Sequence, residues 1–431
     1  LKSGFEENTL SDLSKVNLQL KSLTVYRAIL TDETITRFAR ALDAAQSGVA
    51  ESFCTSYGAF LQSLSQVEDS LDFGRHLEKL LKFNDNAFSR AASRKGNEPE
   101  QTLRNAAAYD LEAIRSIAAV SAKQLKQVIL AHAESQELEL VSAMPEYSSS
   151  GTFFQGDAAN LLAQLEAFYR QNGYGVFAQY GAFRWSRDLI GVANPDPVRL
   201  SDLKSYEYER GLVAANTKDF VDGRGGGNLL LYGDRGTGKS STIKALANEY
   251  RASGLRIVEV TKGSIPQFPE IMERLREVPL RFILFLDDLS FSTGDESFSA
   301  LKSVLEGGVV ARPENCRIYA TSNRRHLVKE TFSERSVDVD DVHAGDTKQE
   351  KLSLYDRFDQ TVNFFAPDQA QYLSIVRLIA SEKALTVPQE TLDRAAVQWA
   401  IRAGGRSPRA AKQFVEWAAA QNQKGASILD E

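Results

Sequence analysis

Asn228-Leu-Leu-Leu-Tyr-Gly233-Asp-Arg-Gly-Thr-Gly-Lys239-Ser240-Ser241 sets an apolar strand directly before a glycine-rich turn and a helical segment that runs to Tyr250. The spacing is G-x-x-x-x-G-K-[ST], in the strand–loop–helix context which that motif requires. Gly233, Gly236 and Gly238 let the backbone turn tightly. The N–H groups from Asp234 through Arg235, Thr237, Lys239, Ser240 and Ser241 can then point inward at phosphate oxygens. Lys239 supplies a point charge to the β- and γ-phosphates, and Ser240 offers a hydroxyl to Mg2+. The helix that follows adds its positive N-terminal end. The loop is therefore expected to bind ATP with Mg2+.

Outward from the loop, short apolar runs alternate with helical segments: Asn228–Tyr232, Arg256–Val260, Phe282–Leu286 and Arg317–Ala320. Such alternation builds a parallel sheet covered by helices on both faces. The third run ends in Asp287-Asp288, and ligands of open α/β sheets bind at the carboxyl ends of the strands. Asp287 is expected to hold Mg2+ and Asp288 to orient and polarise an attacking water. The alternative is an acidic helix N-cap. Asn216-Thr217-Lys218-Asp219 has the wrong order for guanine recognition and precedes the loop, so it is set aside.

The first 145 residues read as a helical domain. Phe53, Tyr57, Phe60, Leu61, Leu64, Val67 and Leu71 recur at spacings of three and four, as do Leu111, Ile114, Ala118, Leu125, Val128 and Ile129. The stripes fit bundle packing, with partner binding as the alternative. Residues 146–194 read as a linker with connecting helices, beginning with the small, polar, proline-led Pro145–Thr152. Asn194-Pro195-Asp196-Pro197 marks a boundary. Residues 195–365 form the α/β core, and 366–431 a C-terminal helical lid.

Composition bounds the class. The 431 residues are 43% hydrophobic and 25% charged, with net charge −6. These values fit a globular chain of two or three domains and disfavour a globally basic nucleic-acid binder. Two cysteines exclude a disulfide scaffold, and the four histidines show no metal-ligand spacing. No run of ~18 apolar residues occurs, so no membrane span is expected. The chain begins with Leu1 rather than Met and LKSGFEENTL lacks a signal core. A cytoplasmic protein that lacks a few leading residues is the expectation.

With these motifs in place, the chain resembles the AAA+ ATPase superfamily over residues 195–420. Tyr319-Ala-Thr-Ser-Asn323 resembles sensor 1, which implies that Asn323 touches the γ-phosphate and helps place the water. Leu352-Ser-Leu-Tyr-Asp-Arg357-Phe358 resembles the arginine-finger segment, which implies that Arg357 completes a neighbouring subunit's site. Gly404-Gly-Arg-Ser-Pro-Arg409 resembles sensor 2, with Arg409 the better match and Arg406 the second. Leu203-Lys-Ser-Tyr-Glu207 occupies the place of the adenine-packing segment. More closely, Arg199–Leu203, Leu231–Ser240, Asp287–Phe291, Ala320–Leu327 and Lys351–Leu354 are similar to the bacterial predicted-ATPase family known as domain of unknown function 815. Simpler roles stay open for two residues: Arg357 could pair with a carboxylate, and Arg409 could be a solvated helix residue.

Departures from the superfamily shape the functional expectation. Asp288 stands where most members have Glu, one C–C bond shorter, so hydrolysis is expected to be slow or assisted by Glu296. Thr261–Pro269 lacks an aromatic–apolar–Gly pore triplet, which disfavours unfolding of proteins by threading. Glu330–Glu350 is an acidic insertion, either a solvated loop or a partner contact. The leading expectation is an ATPase that acts as a homo-oligomer with a shared site and holds an unidentified protein partner through its N-terminal helices. A slow nucleotide-gated switch is the first alternative. A nucleic-acid loader, suggested by Arg324 and Arg325, is the less favoured second.

Overall fold

The computed structural model describes residues 2–94, 96, 98–131, 135–149, 153–291, 295–307, 313–323, 354–424 and 427–428. They divide into two compact units, Leu1–Gln179 and Tyr180–Glu431.

The first unit is helical: α1 (Lys2–Lys21), α2 (Glu33–Ser47), α3 (Ala50–Glu68), α4 (Phe73–Lys82), α5 (Ala87–Ser93), α6 (Gln101–Ala118), α7 (Ala122–Leu130), α8 (Ser135–Ala143), α9 (Ala158–Asn172) and α10 (Gly175–Gln179). The side chains of Asp32, Asp72, Ser121 and Asp157 cap α2, α4, α7 and α9 by accepting amide hydrogens three residues on. Phe53, Tyr57, Phe60, Leu64, Leu111 and Ile114 are fully buried, so the stripes are core. Val67 is 50% exposed, next to the end of α3, where Asp69 turns left-handed.

The proline-led stretch expected as a linker carries a core residue. Tyr147 lies among Phe38, Tyr57, Phe60 and Phe73, and its hydroxyl donates to Val120 O at 2.7 Å. An aromatic ring of that size outweighs the loop character of its neighbours. The segment 146–194 is divided between the units. Its helix α9 packs on α5 and α6, while residues 182–191 contribute two strands to the second unit.

That unit contains β1 (Ala182–Trp185), β2 (Leu189–Gly191), α11 (Glu207–Val221), β3 (Leu229–Gly233), α12 (Lys239–Glu249), β4 (Leu255–Glu259), α13 (Phe268–Arg276), β5 (Arg281–Leu286), α14 (Glu296–Glu306), β6 (Cys316–Ser322) and β7 (Gln360–Phe364). The helices α15 (Gln369–Glu382), α16 (Gln389–Arg402) and α17 (Pro408–Gln423) follow. The sheet order is β2-β1-β4-β5-β6-β3-β7, and every pairing except β1–β2 is parallel. Val213 and Phe220 of α11 and Ile243 and Leu246 of α12 pack on Leu229, Leu231, Ile283, Phe285 and Val362. The alternate residues Leu230, Leu284 and Ile318 are also fully buried, as expected of strands covered on both faces. Asn216 and Thr217, from the segment set aside as a guanine reader, are structural. Asn216 bonds Gly227 and the Tyr319 hydroxyl, and Thr217 bonds the same hydroxyl. The last three helices build a core of their own around Tyr372, Val376, Ala396, Phe414 and Val415.

In the helical unit, fully buried Asp110 accepts from the amides of Thr24 and Tyr26 and from the Thr24 hydroxyl. Replacing it with alanine strands these donors, at a cost of about 2–4 kcal/mol. Asp110→Ala is therefore expected to lower the denaturation midpoint and to speed hydrogen exchange at Thr24 and Tyr26 ahead of the rest of the unit. Unchanged exchange at both amides would show that the carboxylate does not hold this turn.

Candidate functional site

The parallel order places the C-terminal ends of β5, β6 and β3 side by side, so what leaves those strands converges. Leaving β3, Gly233 has φ +137°, and a Cβ there would lie 2.0 Å from Phe364 O on β7. Only glycine fits this close approach. Gly236 and Gly238 are also left-handed, at φ +77° and +96°, which curls the loop onto the start of α12. Asp234 braces the loop from outside: its amide donates to Phe364 O at 2.9 Å, and its carboxylate accepts from Ala366 N at 2.6 Å. Arg235 is exposed, whereas Thr237 is buried and donates to Asp234 O.

Lys239 turns back into this curl and is only 6% exposed. Its Nζ donates to Gly233 O at 3.0 Å, Asp234 O at 2.7 Å and Asn323 Oδ1 at 3.1 Å. Burial pushes the ammonium down to about 8, against the upward pull of Asp234, Asp288 and Asp287, and Arg409 adds to the downward push. Asn323 continues the line, since its Nδ2 donates to Asp288 Oδ1 at 2.5 Å. Beside it, Ser240 Oγ donates to Asp287 Oδ1 at 2.5 Å. Thr321 of β6 joins the two aspartates: its hydroxyl donates to Asp287 Oδ1 at 2.6 Å and accepts from Asp288 N at 2.9 Å. Asp288 itself is left-handed, at φ +51°.

Helix α17 meets the loop from the other side. Ser407 caps it, and Arg409 N in the first turn donates to Gly236 O at 3.2 Å. A Cβ on Gly236 would sit 2.8 Å from Ser407 Oγ and 3.2 Å from Arg409 Cβ. The Arg409 side chain is exposed, and so is that of Arg406.

This donor set fits a magnesium triphosphate. The curled loop presents amides and one ammonium, and at present that ammonium rests on neutral oxygens. The Ser240 hydroxyl and the Asp287 carboxylate are adjacent hard oxygen ligands. No cluster of three or more His, Cys, Asp or Glu suited to a metal occurs among the described residues. A divalent ion here would take its other ligands from water and phosphate, as Mg2+ commonly does.

Of the residues expected at the site, the structure thus brings together Gly233, Asp234, Gly236, Thr237, Gly238, Lys239, Ser240, Asp287, Asp288 and Asn323, with Arg409 at the rim. Ser241 follows Ser240 in the first turn of α12. Arg357 pairs with Glu306 at the end of α14. Glu296 is exposed in the first turn of α14, and no contact joins it to Asp288 among the described residues. Arg324, Arg325 and the acidic insertion lie outside the described residues. Sequence reasoning missed Thr321, Ser407 and Glu306. Thr321 was findable, because it stands two residues before Asn323 in the quoted run Tyr319–Asn323.

A family model described as "Protein of unknown function (DUF815)" matches residues 178–422, which span the whole sheet, the loop, both aspartates and the last helices. No curated protein matches the chain. Among solved structures, the Holliday junction branch migration motor RuvB of Thermotoga maritima is 15% identical, over 54% of this chain and 68% of that one, with a TM-score of 0.36. Two single-residue variants of that protein are 15% and 16% identical over 54% of this chain and 67% and 69% of theirs, both at TM-score 0.37. That likeness carries no conclusion about function.

The lowered Lys239 value has a measurable consequence. Below pH 8 the ammonium is already charged when an anion arrives. Above it the free protein holds a neutral amine, and binding a polyphosphate must take up a proton. Affinity for a magnesium triphosphate analogue is expected to fall as pH rises through 8, by up to about tenfold per pH unit. Calorimetry in buffers of different ionisation enthalpy should register the proton uptake. A flat affinity between pH 7 and 9 would show that Lys239 is not the residue that meets the anion.

Proposed function

The chain belongs to the DUF815 family of proteins of unknown function, and from that premise we propose that it is a Mg2+-dependent ATPase whose catalytic site is shared between copies. The observation that carries the proposal is the line Lys239–Asn323–Asp288, which lies beside the pair Ser240–Asp287. A cation, a polar amide, a carboxylate and a magnesium-type oxygen pair stand side by side, linked through Asn323 and Thr321. Phosphoryl transfer asks a protein for little beyond positioning and charge stabilisation, and these groups supply both.

In this reading Lys239 neutralises the β- and γ-phosphates, and the loop amides hold the chain of phosphates in place. Ser240 and Asp287 would hold Mg2+, which would supply positive charge beside the phosphates. Asp288 orients a water, and Asn323 keeps that carboxylate aligned with the ammonium. The base is expected beside Tyr206, whose ring packs on Phe364 and whose hydroxyl donates to Phe365 O at 2.5 Å. Arg357 supplies transition-state charge to the site of a second copy, an effect worth ~10³–10⁵ in rate in comparable systems. The helical unit is the proposed partner-holding part, although no partner chemistry is assigned to it. No helix of the described residues is long and apolar enough to cross a membrane.

One observation favours a second reading, a slow nucleotide-gated switch. Arg409 N bonds Gly236 O, so the last three helices are attached to the loop that would change on binding. With a short Asp288 as the water-orienting group, the product of binding would be a conformation rather than a rate.

Three measurements separate these readings. Lys239→Ala is expected to weaken Mg–ATP binding at least about 100-fold, and Asp288→Ala to keep binding while turnover drops about 10²–10³-fold. Wild-type turnover per subunit should climb with protein concentration, while that of Arg357→Ala stays low and flat. Concentration-independent turnover by a monomer sinks the shared site. Tight binding with no turnover at any concentration leaves the switch.

A further inference from the structure

Arg357 is anchored by its backbone and neighbours. Leu354 and Phe358 are buried, Arg357 N donates to Leu354 O at 3.3 Å, and the Tyr355 ring stands edge-on to Tyr232 at 5.3 Å. The guanidinium lies against Glu306 of its own chain and contacts the carboxylate through Nη1. Both side chains are partly shielded, 30% and 39% exposed.

Two features make this an unfinished pair. Arg357 Nε is buried and has no hydrogen-bond partner among the described residues. A guanidinium with every donor satisfied would use Nε as well, so Glu306 leaves one buried donor of Arg357 unmatched. Glu306 is equally ill placed for its own helix. It is the last residue of α14, where the helix end is already negative, and the last turn holds no basic residue. Neither helix stability nor full satisfaction of the guanidinium's donors explains why these two residues meet.

We infer that Glu306 is a latch: it holds Arg357 within its own chain, in competition with the triphosphate site of a second copy. The inference rests on the reading of Arg357 as a group that serves a neighbouring copy. Glu306 is then a positioning residue that touches no substrate. Its carboxylate keeps the guanidinium partly neutralised while the subunit is alone. A bound triphosphate on an adjoining copy, with more negative charge and several acceptor oxygens, draws the arginine away. Assembly and completion of the site are thereby coupled, and the latch raises the concentration at which copies associate.

The test uses the full chain with Glu306→Gln, which keeps shape and removes charge, together with Arg357→Ala and the double variant. Nucleotide-dependent association is read by sedimentation velocity with Mg2+ and a non-hydrolysable ATP analogue, and turnover is read separately with ATP. The expected result is that Glu306→Gln associates at a several-fold lower concentration than wild type, with a matching shift in the turnover midpoint. Arg357→Ala and the double variant should behave alike, since without the arginine there is nothing to hold. Identical association curves for wild type and Glu306→Gln overturn the latch. So does weaker association of Glu306→Gln, which would make the pair a support for the arginine. Absence of nucleotide-dependent association in both proteins overturns it as well. An association shift without turnover in any protein refutes the hydrolytic reading and leaves the latch standing.

Discussion

A primary ammonium buried in a protein must be surrounded by oxygen, and that requirement organises the α/β unit. Lys239 is only 6% exposed, and its three hydrogens go to Gly233 O, Asp234 O and Asn323 Oδ1. The first two acceptors exist only because Gly233 adopts φ +137° while Phe364 O occupies the space a Cβ would fill. That closeness requires β7 in register beside β3, and Gly233 does pair with Phe364. The third acceptor requires β6 on the opposite side of β3, which the register Tyr232 with Ser322 provides. The central position of β3 between β6 and β7 is therefore the arrangement that lets one lysine be both buried and satisfied.

The two aspartates depend on β6 in the same way. A left-handed aspartate costs roughly 1–3 kcal/mol in backbone strain, and Asp288 bears it at φ +51°. Its amide donates to Thr321 Oγ1 of β6 and its carboxylate accepts from Asn323 Nδ2, one residue past that strand. Leu289 N returns to Thr321 O at 2.7 Å. The turn that aims the Asp288 carboxylate toward the lysine is thus held largely from β6, with the Asp287 carboxylate as a second acceptor for the Asp288 amide at 3.1 Å. The pairing of Leu286 with Ala320 sets the distance over which these bonds form.

What the sequence makes legible follows from how local each cause is. The strand, the glycine-rich loop and α12 depend on neighbours in sequence, and that reading agrees with the observed β3–loop–α12. The buried stripes of α3 and α6 are read from period alone. By contrast, β7 carries the short, mixed run Gln360-Thr-Val-Asn-Phe364, which becomes a strand only because β3 offers it an edge. The four-residue β1 likewise depends on β4. Tyr147 looks like loop composition and is core, because its partners come from α2, α3 and α4. The pairing of Glu306 with Arg357 joins residues far apart in sequence, and no local spacing announces it.

The attachment of the last three helices follows from the same economy of contacts. Their apolar residues are spent on a core of their own, in which Ala411, Phe414, Val415 and Ala418 lock α17 against Tyr372, Val376 and Ala396. The polar contacts that join them to the rest of the unit include the bond from Arg409 N to Gly236 O of the loop and, farther off, the ion pair of Lys204 with Glu382 at 2.7 Å. A partly exposed pair of that kind contributes only about 0.2–1 kcal/mol. A body with its own core, which meets the loop through the first turn of α17, turns as a unit more readily than it deforms. Gly236 has no Cβ, and the space one would need is taken by Ser407 and Arg409, so this loop peptide touches the first turn of α17. Any change in that peptide reaches α17 without passing through the sheet, which leaves the strands free to keep Lys239, Asp287 and Asp288 fixed.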